Sequence, residues 1–513
     1  MTESGLNVTP GASFRRSPLV LHGRDAFGPV QSAGDLAGRS IRGGAISAFG
    51  QVIQLALQVG GAAALARLLT PRDFGLVAMV TAISAFGMIL RDAGLSAATI
   101  QARTITQDQC AALFRINAIA GLLLGICLAA AAPAVARFYG HEELTWITIG
   151  LAIPLVVSGF ATQHFALLQR HMRFGAVTIV HLGFYSSYWL AALVSAILGS
   201  GYWSLVIANG VAYLVWTALI FVFCRWVPVR PADGKAVMSH IRFGGHVLAS
   251  GVVGYFASYA DSILVGRFLG AGPLGLYSRA YNFVALPIAQ MIQLVQRVGL
   301  PVLRLLVDES ERYRTYQTRM TNLVATISLP LGLVCVLEGE FFIRVLLGDQ
   351  WIEASSAFRL LGAVMLVRPI MATVELAQLS LGESRRYFIW TLVTSTTYVI
   401  SFVAGLPWGI TGVAGALAAA HFLLFLPAAV YCLARSPVRV RDFLHQLAVP
   451  LAVSSLAVAV ALAFHAISGF GFAEQGLGVA IFLCVYLALS VARPSIRELA
   501  VHSVRGVRRR GSP

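Results

Sequence analysis

The chain has 513 residues, 58% of them hydrophobic and only 12% charged, with a mean hydropathy of +0.77. A water-soluble domain carries about 25% charged residues to wet its surface, so half that fraction over a chain this long excludes a soluble globule and places the protein in lipid. The formal net charge of +16, from 38 Lys and Arg against 22 Asp and Glu, fits nucleic acid, anionic lipid or an anionic substrate until its distribution along the chain is considered.

Residues 1–40 are polar and rich in Gly, Ser and Arg, which predicts a disordered tail; the apolar run Ser17–Leu21 is too short for a signal peptide. A spanning helix needs about 20 mainly apolar residues. Six runs meet this in 41–224: Ile41–Ala66, Phe74–Leu90, Leu113–Ala132, Trp146–Leu167, Ala176–Leu198 and Trp203–Cys224. A polar linker at 225–243 precedes a second set of six in 244–433: Gly244–Leu269, Leu274–Val298, Thr321–Leu337, Phe358–Leu381, Tyr387–Gly405 and Ile410–Leu433. Two more runs, Gln446–Ile467 and Gly476–Val491, fall in 434–492, and a basic tail closes the chain at 493–513. The expected fold is an all-α polytopic membrane protein of about fourteen helices, two six-helix lobes plus a C-terminal pair.

An even number of spans puts both termini on one side. With that side cytoplasmic, thirty Lys and Arg fall on the inner segments and seven on the outer ones. The bias of cytoplasmic loops toward Lys and Arg therefore predicts both termini inside, and it accounts for most of the net charge without nucleic acid. The two sets also repeat. Ile41-Arg42-x-Gly44 recurs as Ile241-Arg242-x-Gly244, and Arg67-x-Leu69 with Gly75-Leu76 recurs as Arg267-x-Leu269 with Gly275-Leu276, all at a spacing of 200 residues. Repeats of this kind put a transporter's substrate site where the halves meet.

Catalytic signatures are missing. The only lysine, Lys235, is followed by Ala236, so no phosphate-binding Gly-Lys-Ser/Thr loop exists, and His141-Glu142-Glu143-Leu144 lacks the second histidine of a zinc protease motif. The six cysteines form no CxxC pair, which suggests neither a disulfide framework nor a zinc site. No metal or cofactor is expected.

What remains is polar chemistry inside the spans, where ionisable groups are costly and face a bundle interior or a wet cavity. At 100° per residue, Arg279, Gln290, Gln293 and Arg297 fall within about 60° of one another on the eighth span, with Pro287 expected to bend it. Ser47, Gln51, Gln54 and Gln58 form a stripe on the first span, and His246, Ser250, Gly254 and Asp261 one on the seventh. Arg368 and Glu375 share a face of the tenth, with Arg368 just before Pro369. Structural readings compete: amides glue helices together, Asp261 with Arg279 and Arg368 with Glu375 could be ion pairs, and Arg297 could snorkel to the interface.

Arg67-Leu-Leu-Thr-Pro-Arg-Asp-Phe-Gly-Leu-Val-Ala-Met79, Asp92-Ala-Gly-Leu95 and Arg137-Phe-Tyr-Gly140 resemble the first half of Wzx-type polysaccharide flippases. Asp261-Ser-Ile-Leu-Val-Gly-Arg267, Leu274-Gly-Leu-Tyr-Ser-Arg-Ala-Tyr281, Leu346-Leu-Gly-Asp-Gln-Trp351 and Gln378-x-x-Leu381-Gly382 resemble the second. The similarity runs from about Ile41 to Leu433 and is nearest the colanic-acid-exporter branch of the multidrug/oligosaccharidyl-lipid/polysaccharide superfamily. It implies a V-shaped, MATE-like pair of lobes in a bacterial inner membrane, exporting an undecaprenyl-diphosphate-linked oligosaccharide. On that reading Arg279, Arg297 and Arg368 line the cavity and hold the diphosphate, Gln51, Gln54 and Gln58 meet sugar hydroxyls, and Gln290 and Gln293 line the same cavity. An ion gradient supplies energy through Asp261 or Glu375, and a glycan polymerase with its chain-length machinery takes the product. Two other classes would read differently. A multidrug exporter would line its cavity with acids, and a glycan polymerase or ligase would need a large outer loop; this chain has more arginines than acids in its spans and only short loops.

Overall fold

The computed structural model describes residues 21–22, 27, 33–102, 104–229, 252, 254–255, 258–469 and 471–491. The linker core, His246, Ser250 and the tail from 492 lie outside them, as does most of the first half of the seventh expected span. In chain order the helices are α1 Ala33–Ala66, α2 Pro71–Asp92, α3 Leu95–Gln101, α4 Gln107–Ala130, α5 Ala132–Tyr139, α6 Leu144–Arg170, α7 Phe174–Ile197 and α8 Trp203–Phe223. A helix at 258–269, α9, follows. Then come α10 Ala271–Leu294, α11 Leu300–Leu305, α12 Ser310–Leu337, α13 Gly339–Leu346, α14 Ser355–Met365, α15 Arg368–Ser380, α16 Ser384–Gly405, α17 Gly409–Leu433, α18 Val440–Ser468 and α19 Phe472–Val491.

Twelve helical stretches among the described residues are long and apolar enough to cross a membrane, and the longest, Ser384–Leu433, contains both α16 and α17 folded back on each other. The protein is a multi-pass membrane protein. Local chemistry sets several ends. Thr70 caps α2 reciprocally with Asp73, with Pro71 at the first helical position, and Thr106 does the same with Gln109 for α4. Two sequence expectations need correction at the N-terminus. The first helix begins at Ala33, eight residues before the predicted span: Ala33–Ser40 has no proline, and the helix continues through Gly34 and Gly38. And the tail is not wholly disordered: Leu21–His22 forms a short parallel strand pair, β1, with Cys224–Arg225, β2. Leu21 is buried there beside Trp226 and Cys110, which gives an apolar reason for the docking.

The helices pack in two groups. In the first, α4 lies on α6, α6 and α7 on α8, α1 on α7 and α2 on α6. Gly159 of α6 faces the backbone of α4 so closely that a Cβ would sit 2.9 Å from the Asn117 carbonyl oxygen, the close approach small residues permit between membrane helices. In the second, α14 and α15 pack on α17, α16 on α17 and α12 on α14, with α18 and α19 added against α12. That addition is sealed by a buried hydrogen bond between His465 of α18 and Glu338 after α12, at 2.6 Å. Phe49, Leu190 and Leu423, 66–72% exposed, are among many large apolar side chains on the outside, which lipid would cover.

The cores show how the groups meet. At the end where Thr70 lies, one apolar cluster runs through both groups, from Leu65, Met79, Val135 and Leu205 to Leu274, Trp351, Leu361 and Val413. At the opposite end, where Arg91 lies, each group has its own: Leu95, Leu113 and Trp226 in the first, Leu303, Tyr313 and Phe443 in the second. Among the described residues, the bundle shares one core at the Thr70 end and has separate cores at the Arg91 end. The joint centres on α2 against α10, where a Cβ on Gly75 would sit 1.7 Å from the Ala271 carbonyl oxygen and one on Gly275 1.8 Å from that of Pro71. Trp351 Nε1 and Gln350 Nε2 reach across to donate to the Ala66 carbonyl at 2.8 and 2.5 Å, which serves one of the orphan acceptors at the end of α1.

A cationic helix break between the two groups

The tenth expected span, Phe358–Leu381, is not one helix. Pro369 has no N–H to donate and its ring crowds the carbonyl four residues earlier, which kinks or breaks a helix; α10 continues through Pro287, whereas at Pro369 the helix breaks. The chain closes α14 with tight turns, Leu366 N–H to Ala363 O at 3.2 Å and Val367 N–H to Val364 O at 3.1 Å, and restarts at Arg368. This puts the N-terminus of a half-helix, with its partial positive charge, beside a guanidinium in the middle of the apolar stretch Asp349–Ser380. Arg368 Nη1 donates to Glu375 Oε2 at 3.1 Å, and their side chains are 27% and 16% exposed. The expected pair is formed, and the helix end leaves a net positive site.

The other expected residues distribute along the same seam. The two glutamine stripes meet: Gln51 of α1 donates to Gln290 of α10 at 2.8 Å, across the two groups. Gln54 approaches the Tyr185 hydroxyl of α7, and Gln58, half-buried, sits one turn further along α1. Arg297 lies in a five-residue π turn, Val295–Gly299, where its exposed guanidinium donates to Gln293 at 3.2 Å. Pro287 lies inside α10, so this wide turn comes below the proline. Arg279 stacks over the Phe74 ring of α2, 4.5 Å from its centroid, at the joined end. Asp261 does not pair with it. Asp261 is 2% exposed and accepts instead from the Tyr277 hydroxyl at 3.0 Å and the Ser262 N–H at 2.6 Å, because Tyr277, two residues before Arg279, lies about 200° round α10 from it and turns to α9 while Arg279 faces α2. The three arginines therefore do not converge. At 1.5 Å per residue, Arg279 and Arg297 stand about 27 Å apart along α10, with Arg368 on another helix.

A fourth arginine belongs with them. Arg91 ends α2 and reads from sequence as a loop cation, yet it is only 9% exposed. Its guanidinium hydrogen-bonds Ser158 of α6, and among the described residues its Nε has no partner and no salt bridge neutralises it. A chain of buried amides fixes its backbone: Asn117 donates to the Arg91 carbonyl at 2.9 Å, Gln163 to Asn117 at 2.7 Å, and Thr99 to Gln163 at 2.7 Å. The signal in the sequence was Asn117 and Gln163 inside apolar runs, since buried amides need partners.

A two-group membrane bundle with buried cations at its seam matches a known family by sequence. The model of a polysaccharide biosynthesis protein family covers residues 64–356. The chain belongs to that family. Among relatives, it is 27% identical to the teichuronic acid biosynthesis protein TuaB of Bacillus subtilis over 70% of this chain and 73% of that one. It is 24% identical to the lipopolysaccharide biosynthesis protein WzxC of Escherichia coli, over 65% and 68%, which bears out the Wzx-type resemblance of the Arg67–Met79 and Asp261–Arg267 segments. Its fold is that of the lipid II flippase MurJ in an inward closed conformation, with a TM-score of 0.70 at 13% identity over 88% of this chain and 99% of that one.

Proposed function

We propose that this polysaccharide biosynthesis family member flips an undecaprenyl-diphosphate-linked oligosaccharide from the cytoplasmic to the periplasmic leaflet of a bacterial inner membrane, both termini inside. Export feeds a glycan polymerase and its chain-length machinery, and an ion gradient drives the cycle through Asp261 or Glu375. The observation that carries the reading is the break between α14 and α15. A diphosphate crossing about 30 Å of hydrocarbon needs a partner for its charge, and a guanidinium beside a helix N-terminus is an anion site. Arg297 and Arg91, toward the divided end, meet the diphosphate as it comes in. Arg368 holds it midway, and Arg279 faces it once α2 and α10 part.

Arginine substitutions test this. Arg368→Ala and Arg91→Ala should each cut polymer export at least tenfold at normal protein level in the membrane, with lipid-linked oligosaccharide accumulating on the cytoplasmic side. Arg→Lys should rescue only in part, since lysine lacks the two-pronged fork that matches phosphate. Full export by the alanine variants of Arg91, Arg279, Arg297 and Arg368 would overturn the cationic path.

A further inference from the structure

Tyrosines of both groups stand between Arg91 and Arg368. Tyr213 of α8 is within electrostatic range of Arg91, of Tyr185 and of Tyr259 of α9. Tyr281 of α10 is within range of Tyr259, of Arg368 and of Tyr398 of α16. All four of Tyr213, Tyr259, Tyr281 and Tyr398 are half-buried. Three have an aromatic neighbour stacked on one face: Tyr255 against Tyr259 at 5.1 Å, Tyr277 against Tyr281 at 6.0 Å and His421 against Tyr398 at 4.5 Å between centroids. Phe184 meets Tyr213 edge-on at 5.2 Å.

The hydroxyls separate these rings from ordinary packing tyrosines. Buried phenols normally find hydrogen-bond partners. Tyr313 bonds Ser380 at 2.7 Å, Tyr277 bonds Asp261 at 3.0 Å, Tyr255 bonds the Ala82 carbonyl at 2.6 Å and Tyr486 that of Thr326 at 2.5 Å. Among the described residues, no protein group hydrogen-bonds Tyr213, Tyr259, Tyr281 or Tyr398, and none of their oxygens is a fully buried orphan. Held on one side and open at the hydroxyl, such rings suit a ligand that is apolar on its faces and polar at its rim. A pyranose is that: its axial C–H groups make flat apolar faces, and its hydroxyls radiate around the edge.

We propose that Tyr213, Tyr259, Tyr281 and Tyr398 form a saccharide track, binding the sugar rings of the lipid-linked oligosaccharide while Arg91 and Arg368 bind its diphosphate. The track rests on the flippase reading and adds to it the part of the substrate that carries specificity. Because the four rings come from both groups, the sugar bridges them.

The test uses the full-length protein in lipid nanodiscs with two probes, undecaprenyl diphosphate and undecaprenyl diphosphate carrying a neutral trisaccharide. Wild type should bind the trisaccharide-bearing lipid more tightly. Tyr259→Leu with Tyr281→Leu should weaken that binding about tenfold, the effect of two lost ring contacts, while changing binding of the bare lipid less than twofold. Tyr259→Phe with Tyr281→Phe keeps the packing, so it reports even if the leucine variant misfolds; loss of two hydroxyls should cost about threefold or more, again only for the sugar-bearing probe. Equal affinity of wild type for both probes, or parallel weakening of both by the variants, overturns the track and leaves the flippase reading standing. Binding of neither probe by folded wild type overturns the flippase reading itself.

Discussion

Asp261 shows how one side chain separates a transport role from a structural one. Its carboxylate takes one hydrogen bond from a tyrosine and one from backbone, and no cation pairs with it among the described residues. Asp261→Asn keeps a carbonyl oxygen for the Ser262 N–H and sets an amide NH2 against the Tyr277 hydroxyl, which can turn to accept from it, so the folded protein should survive while the dependence of flipping on an imposed proton or sodium gradient disappears in proteoliposomes. Asp261→Leu strands the buried Tyr277 hydroxyl at about 1–3 kcal/mol, and should lower the folded yield as well. An Asp261→Asn variant that still responds fully to both gradients would remove Asp261 as the coupling residue and leave Glu375. At this scale the sequence was legible where one helix sufficed: the 100° spacing put Gln51 and Gln290 on seam-facing stripes, and Arg368 with Glu375 on one face. It was not legible where two helices decide. Whether Asp261 turns to Arg279 or to Tyr277 depends on how α9 is rotated against α10, and the burial of Arg91 depends on α6 folding over the end of α2.

Elements were read well by hydropathy and poorly by their interruptions. Pro369 stood in view in a run of more than 20 apolar residues, yet apolarity alone does not say whether a helix bends at a proline or restarts after it. The π turn at Val295–Gly299 has no sequence mark at all, since it depends on how the neighbours of α10 pack. The glycines of the α2–α10 joint are the reverse case. The repeat set Gly75 and Gly275 at equivalent places 200 residues apart, and the structure puts each against the backbone of the other's helix. Adding a methyl group to a filled contact costs about 1–3 kcal/mol. Gly75→Ala and Gly275→Ala should therefore each lower the melting temperature in detergent. Gly60→Ala and Gly210→Ala, where a Cβ would meet nothing within 4 Å, should not. Equal melting temperatures in all four would mean that the joint is looser than this geometry.

For the whole molecule, the arginine distribution makes a prediction about sidedness. Reporter fusions after Ser200 and Gly348 should register the periplasm, and fusions after Lys235 and Arg386 the cytoplasm; a single reversed site would break the fourteen-span topology expected from the sequence. The duplicated pattern also has a mechanical consequence. A contact made reciprocally by equivalent residues of two halves lies on the axis relating them, and the Gly75–Gly275 crossing sits at one extremity of the bundle. It is a fulcrum placed at the end of its lever arms. Rotation of the halves by about 20° about such a point moves the far ends of bodies roughly 30 Å tall apart by about 10 Å, while the near ends barely shift. A gap of that size passes a sugar ring. To open the near side instead, the protein must abandon this fulcrum and form another at the Arg91 end, so the two apertures cannot gape together.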